Sequence, residues 1–172
     1  MCPLNSSAVL RLLERHQSPL LRYARGILGD LGAAEDVVQE TFLRCIQKAP
    51  DFGNDGVAQG WLFTVCRNLA YDNRKMNQRE HARRDKLSSP ETLDPPTLLS
   101  QKELVEDMRF ALQELPMKEG EALRLKVHEG MKYEQIGEIL GVSRGTVGWL
   151  VHRAMGRLSK RFRASQDFRS QS

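Results

Sequence analysis

The 172-residue sequence predicts an all-α protein made of two small helical domains joined by a flexible linker. Nearly every apolar run repeats at helical spacing, and no Asn-Gly or Asp-Gly hairpin separates strand-like runs. Residues 88–100 read SSPETLDPPTLLS, where three prolines and small polar residues forbid a continuous helix and favour an extended connector.

The elements follow in order. A first helix is predicted over 7–28, ending near Gly29, and a second over about 33–48, stopping before Pro50. The segment DFGNDGVAQ (51–59) has loop composition, and Trp61 opens a third helix that runs to about 84. This places a first domain at 1–86, a linker at 87–100, a second domain at 101–163 and a tail at 164–172. The second domain is expected to hold helices at about 101–114, 118–129, 133–140 and 144–163, with Pro116 starting a turn and Gly130 and Gly141 ending helices.

The net charge of +4 comes from 26 Lys+Arg against 22 Asp+Glu, and the excess is clustered. Between Val142 and Phe162 there is no acidic residue, whereas Arg144, Arg153, Arg157, Lys160 and Arg161 all fall there, a positive field suited to phosphates. A second basic stretch runs from Arg67 to Lys86. Charges interrupt the apolar residues of the first 17 positions, so they form neither a signal peptide nor a membrane span, and a cytoplasmic protein without membrane insertion is expected. Cys2, Cys45 and Cys66 are odd in number and widely spaced, and a reducing compartment keeps such residues as thiols. Cys45 and Cys66 read as small buried apolar residues. His16, His81, His128 and His152 make no ligand-like spacing with the cysteines, so no metal or cofactor is expected.

The segment YEQIGEILGVSRGTVGWLVH (133–152) fits a helix-turn-helix. Gly137 lets two helices approach, Gly141 takes the positive φ of a tight interhelical turn, and Val147 plugs the wedge with Ile136, Leu140 and Val142. Ser143 caps the second helix through the N–H near Thr146. Val147, Leu150, Val151 and Ala154 then point inward, leaving Arg144, Thr146, Gly148, Trp149, His152 and Arg153 on the side that faces a DNA major groove.

In the first domain, Val38, Phe42, Cys45 and Ile46 form an apolar stripe, with Asp36, Gln39, Glu40, Leu43 and Arg44 largely off it. Taken alone, such a polar face is ordinary solvated surface. The third helix packs Leu62, Val65, Cys66 and Leu69 inward and offers Arg67, Asn68, Tyr71, Arg74 and Lys75 elsewhere, a mixture suited to nucleic acid. Trp61 and Tyr71 admit two readings, core packing or stacking on unpaired bases.

With these residues in hand, the sequence from about Ser18 to Phe162 resembles the extracytoplasmic-function sigma factors. AEDVVQETFLR looks like the family's second-region signature, which implies that Asp36, Gln39 and Glu40, with Leu43 and Arg44 beside them, grip the clamp helices of the β′ subunit of bacterial core RNA polymerase, and that Phe42 supports them from the core. WLFTVCRNLAYDNRK looks like the helix that melts and reads the −10 element. Arg67, Asn68, Asp72 and Arg74 match that motif, Trp61, Tyr71 and Lys75 are expected to join them from the residue chemistry above, and the preceding loop with Asn54 sits where the family captures a flipped-out base. The stretch from Leu115 to Ala154 is similar to the fourth region, which binds the −35 element as duplex; from the helix-turn-helix geometry and charge above, Ser143, Arg144, Thr146, Trp149, His152, Arg153 and Arg157 are expected to make the contacts. Gly148, Trp149 and Leu150 stand where the family commonly has Lys or Arg, Ser and Arg, and Cys66 stands where Ala is usual. The resemblance implies promoter DNA, core polymerase and an anti-sigma factor as partners.

The implied division of labour needs no chemistry from the chain, because binding exposed bases shifts the duplex toward its open form. The rival is a stand-alone regulator whose helix-turn-helix binds operator duplex without polymerase; the first domain, however, shows no ligand pocket or dimer heptad. An enzyme would need a nucleophile–base grouping, a phosphate loop or paired carboxylates, and none is legible.

Overall fold

A computed structural model describes residues 6–48, 52, 54–84 and 111–169, and these are helical with no strand among them. Three long helices build the first half: α1 (Ser6–Leu28), α2 (Leu31–Lys48) and α3 (Asp55–Arg84). After the described end of a preceding helix at 111–113, the second half holds α4 (Met117–Val127), α5 (Tyr133–Leu140) and α6 (Arg144–Arg169). The predicted linker at 87–100 and most of the predicted helix at 101–114 lie outside the described residues.

Side-chain caps decide where two helices start. α2 begins at Leu31 rather than near 33 because the Asp30 carboxylate accepts from the Ala33 N–H at 2.7 Å. α3 begins at Asp55 rather than Trp61, which corrects the expected loop: Asn54 Oδ1 accepts from the Val57 N–H at 3.0 Å, and residues 55–59 are the first turns of the helix. Asp55 in that first turn is ion-paired with Arg15 of α1. At the other end, α4 stops at Val127, two residues before its expected end, and α6 continues to Arg169, beyond the expected 163.

α1, α2 and α3 pack on one another around Leu20, Tyr23, Val38, Phe42, Leu62, Phe63 and Cys66. Ile46 departs from the predicted stripe: it is 51% exposed, and Thr41 is buried instead, its hydroxyl donating to the Val37 carbonyl at 2.7 Å. Satisfying that hydroxyl within the helix allows a polar residue on the core face. The apolar core continues without a break into Ala122, Leu125, Ile136, Leu140, Val147 and Leu150 of the second half. The two halves therefore share one packed interior, with α4 against α1 and α5 against the start of α3.

Candidate nucleic-acid interface

The helix-turn-helix has the predicted construction. Gly141 sits at φ 66° and ends α5, and the Val142 N–H returns to the Gly137 carbonyl at 2.9 Å. Val147 and Ile136 are fully buried between the helices. Ser143 Oγ accepts from the Thr146 N–H at 3.2 Å and meets the Thr146 hydroxyl at 2.8 Å, so α6 is capped where expected. Thr146, Trp149, Arg153 and Arg157 fall along one side of α6, and His152, also exposed, flanks them. Gly148 is half-buried against the Tyr133 ring.

Several of these groups already have partners. Arg144 pairs with Glu134 at 3.1 Å. The Arg153 guanidinium lies 4.7 Å above the Trp149 ring and 3.5 Å from Glu119 Oε1. Arg157 Nε stands 2.9 Å from Glu119 Oε2, close enough for an ion pair but without hydrogen-bond geometry.

On α3 the predicted residues separate into two parallel stripes offset by one residue. Trp61, Asn68, Asp72 and Lys75 share one face, on which Asn68, Asp72 and Lys75 are exposed; Trp61 is half-buried, its ring edge-on to Phe52 at 5.7 Å. Arg67, Tyr71 and Arg74 share the adjoining face, which is covered. Arg67 Nε donates to Glu121 Oε1 at 3.0 Å, the Tyr71 hydroxyl donates to Glu121 Oε2 at 2.8 Å, and the Arg67 guanidinium stacks 4.5 Å from the Tyr71 ring centroid. Arg74 Nη1 reaches Met117 Sδ at 3.2 Å. Burial and the Glu121 carboxylate push the Tyr71 phenol up to about 12. Asn54 stays at the helix cap, exposed.

On α2, Asp36, Gln39, Leu43 and Arg44 are exposed and Glu40 half-exposed, all on one face, with Glu40 and Arg44 paired at 2.9 Å one turn apart. Among the described residues no group of His, Cys, Asp and Glu could hold a metal, and no helix is long and apolar enough to cross a membrane.

Comparison with known proteins decides the family. Residues 12–80 match the family model for Sigma-70 region 2, and residues 106–158 match that for Sigma-70 region 4. The chain is 34% identical over 155 residues to the ECF RNA polymerase sigma factor SigL of Mycobacterium tuberculosis, spanning 87% of this chain and 86% of SigL. The chain belongs to the extracytoplasmic-function (ECF) sigma factors. SigE of Mycolicibacterium smegmatis is 32% identical over 155 residues, but the chain spans only 58% of its length. Among solved structures, the sigma factor RpoE of Bartonella quintana, in complex with the anti-sigma factor NepR, superposes with a TM-score of 0.74 at 27% identity, covering 90% of this chain and 96% of that one.

In this sigma factor α1–α3 correspond to region 2 and α4–α6 to region 4. Three residues important to the geometry are absent from the sequence-level prediction: Tyr23, Glu119 and Glu121. Glu121 is 0% exposed and accepts from Tyr23, Arg67 and Tyr71, all in region 2. A trace of this was available, since Glu121 sits one turn before Leu125 on the apolar side of α4, and an acid on a core stripe implies a buried donor.

Proposed function

We propose that this ECF sigma factor directs bacterial core RNA polymerase to promoters, with the work divided between its two regions. The exposed face of α2, with Asp36, Gln39, Glu40, Leu43 and Arg44, docks on the β′ clamp helices. Trp61, Asn68, Asp72 and Lys75, joined by Arg67, Tyr71 and Arg74 once they are free, hold the melted −10 strand: cations meet phosphates and aromatic rings stack on unpaired bases. Asn54, at the α3 cap, takes part in capturing a flipped-out base. Ser143, Arg144, Thr146, Trp149, His152, Arg153 and Arg157 meet the −35 duplex from the recognition helix α6.

The chain carries out no covalent step and takes no cofactor. Melting follows because the protein binds open strand better than duplex, which shifts the equilibrium by the difference in affinity. The site of action is the cytoplasm, where polymerase and DNA are, and an anti-sigma factor binds and restrains the protein there; the similar RpoE of Bartonella quintana is in complex with the anti-sigma factor NepR.

The observation that carries this reading is the pairing, in one chain and in this order, of the two region matches with a helix-turn-helix whose turn, wedge and cap are all in place. A stand-alone regulator has no need of region 2. Run-off transcription with purified core polymerase on a library of host promoter fragments tests it. Initiation at discrete sites only when the protein is present is the expected result. Tight duplex binding with no association with core and no transcripts would replace this reading with that of a regulator.

A further inference from the structure

Glu121 is placed where no isolated region 4 could keep it. Its carboxylate is fully buried, yet every hydrogen-bond donor described on it comes from region 2: the Tyr23 hydroxyl at 2.9 Å, the Tyr71 hydroxyl at 2.8 Å, and Arg67 through Nε at 3.0 Å and Nη2 at 3.5 Å. Burying an ionised carboxylate is costly unless it is fully paired, so these donors and the acceptor must come together or part together. The surrounding contacts are equally close. Arg124 of α4 lies over Gly26 of α1, where an added Cβ would meet its Nε at 2.8 Å, and Arg22 of α1 pairs with Glu129 at 3.2 Å.

Two of the three donors, Arg67 and Tyr71, belong to the covered stripe of α3, and the third member, Arg74, is held against Met117 of the same α4. On the opposite side of α4, Glu119 faces Arg153 and Arg157 of α6. One helix of region 4 thus puts carboxylates against arginines of both DNA-facing sets.

We propose that Glu121 is an interdomain latch: its carboxylate, closed on by Tyr23, Arg67 and Tyr71, holds region 4 against region 2 and keeps the Arg67–Tyr71–Arg74 stripe from single-stranded DNA until the two regions separate. The masking half of this rests on the reading of α3 as the −10 helix; the latch itself does not. A closed form that cannot bind lowers apparent affinity by the fraction of molecules that are open, so loosening the latch strengthens binding without any new contact. Separation by core polymerase then couples promoter binding to assembly of the holoenzyme.

The test compares full-length wild type with Glu121→Gln and with Tyr23→Phe. The first removes the charge at constant shape. The second removes one hydroxyl while keeping the ring that packs edge-on against Phe63. Circular dichroism reports folding, small-angle scattering reports the separation of the regions, and anisotropy of a short fluorescent single strand of mixed sequence reports access to α3. The expected result is helical variants with a larger radius of gyration and tighter single-strand binding, by about tenfold for Glu121→Gln and less for Tyr23→Phe, in keeping with a hydrogen bond to a charged group. If Glu121→Gln fails to fold, Tyr23→Phe decides alone. Scattering and affinity both unchanged from wild type would overturn the latch. Expansion with no gain in affinity would keep the latch and remove the stripe from the DNA site.

Discussion

The carbonyl oxygen of Val142 closes over Gly137: a Cβ built on that glycine would stand 2.7 Å from the oxygen, nearer than side-chain carbons approach backbone. The obstacle is the interhelical turn itself, held by the Val142 N–H on the Gly137 carbonyl at 2.9 Å, so the neighbour cannot swing aside as a flexible side chain would. Gly137→Val adds two methyl groups beyond that Cβ and is expected to cost about 2–3 kcal/mol by overpacking, outweighing any gain in helix propensity. Thermal unfolding should show a fall of about 2–4 °C for each kcal/mol. A melting temperature equal to wild type would mean that the turn is not held as tightly as the geometry indicates.

Why the helix-turn-helix was legible and the closed arrangement was not has a physical basis. Gly141, Ser143 and Val147 are each constrained by backbone within a few residues, through a positive φ, a cap and a wedge, so their spacing alone specifies the motif. The two-domain all-α class was legible from period and prolines in the same way. Helix starts were less so: Asn54 and Asp30 are cap residues, but Gly56 and Gly60 disguised the first turns of α3 as loop. The Tyr23–Glu121 hydrogen bond joins positions 98 residues apart, and no local pattern in either segment encodes the other. Arg67 and Tyr71 looked like free nucleic-acid groups for the same reason, since their occupation depends on a distant helix.

His16 supplies a pH dependence with a definite sign. Its side chain is buried, Nε2 makes no hydrogen bond, and the nearest carboxylate oxygen, on Asp55, is 3.7 Å away. Burial lowers its pKa below the ordinary 6.5, and the Asp55 charge only partly opposes this. Below pH 6.5 the unfolded chain takes up a proton that the folded chain resists, so stability falls as pH drops through that window toward the lowered folded value. Denaturant titrations of wild type and His16→Gln across pH 5–8 should show a difference in stability that narrows with acidification, because the variant lacks this loss. Parallel pH profiles for the two proteins would remove His16 as the source.

Cys66 should be chemically silent in the folded protein. It is fully buried in the region 2 core, and that burial pushes its thiol up to about 12, with Thr41 opposing only in part; burial raises Cys45 as well. Because the thiolate is the reactive form, neither should titrate with a disulfide reagent at pH 8. In a Cys2→Ser background the expectation is no labelling of native protein and labelling of both thiols in denaturant. Rapid labelling of the native form would show that region 2 opens locally far more often than its packing implies.

The α2 face can be separated from folding. Asp36 and Gln39 are exposed, so Asp36→Ala and Gln39→Ala should change stability by no more than about 0.5 kcal/mol. Each is expected to weaken binding to core polymerase by about tenfold, or ~1.4 kcal/mol. Titration of labelled core beside circular dichroism measures both quantities on the same samples. Unchanged affinity in both variants would move the clamp contact off this face.

Trp149 and Arg153 should respond differently to salt although they touch. Trp149 is 53% exposed, and its ring lies beneath the Arg153 guanidinium at 4.7 Å, while the same guanidinium is 3.5 Å from Glu119. The cation is thus held by the ring and the acid together. Trp149→Ala removes an exposed side chain of the duplex-facing side and leaves Arg153 to Glu119 alone, so it should lower duplex affinity several-fold and leave the melting temperature almost unchanged. Arg153→Ala removes the charge itself, and a lost phosphate contact flattens the dependence of log affinity on log salt by about 0.9. Anisotropy of the full chain on a promoter duplex at several salt concentrations distinguishes the two. A salt slope unchanged in Arg153→Ala would mean that Arg153 stays with Glu119 when DNA is bound and makes no phosphate contact.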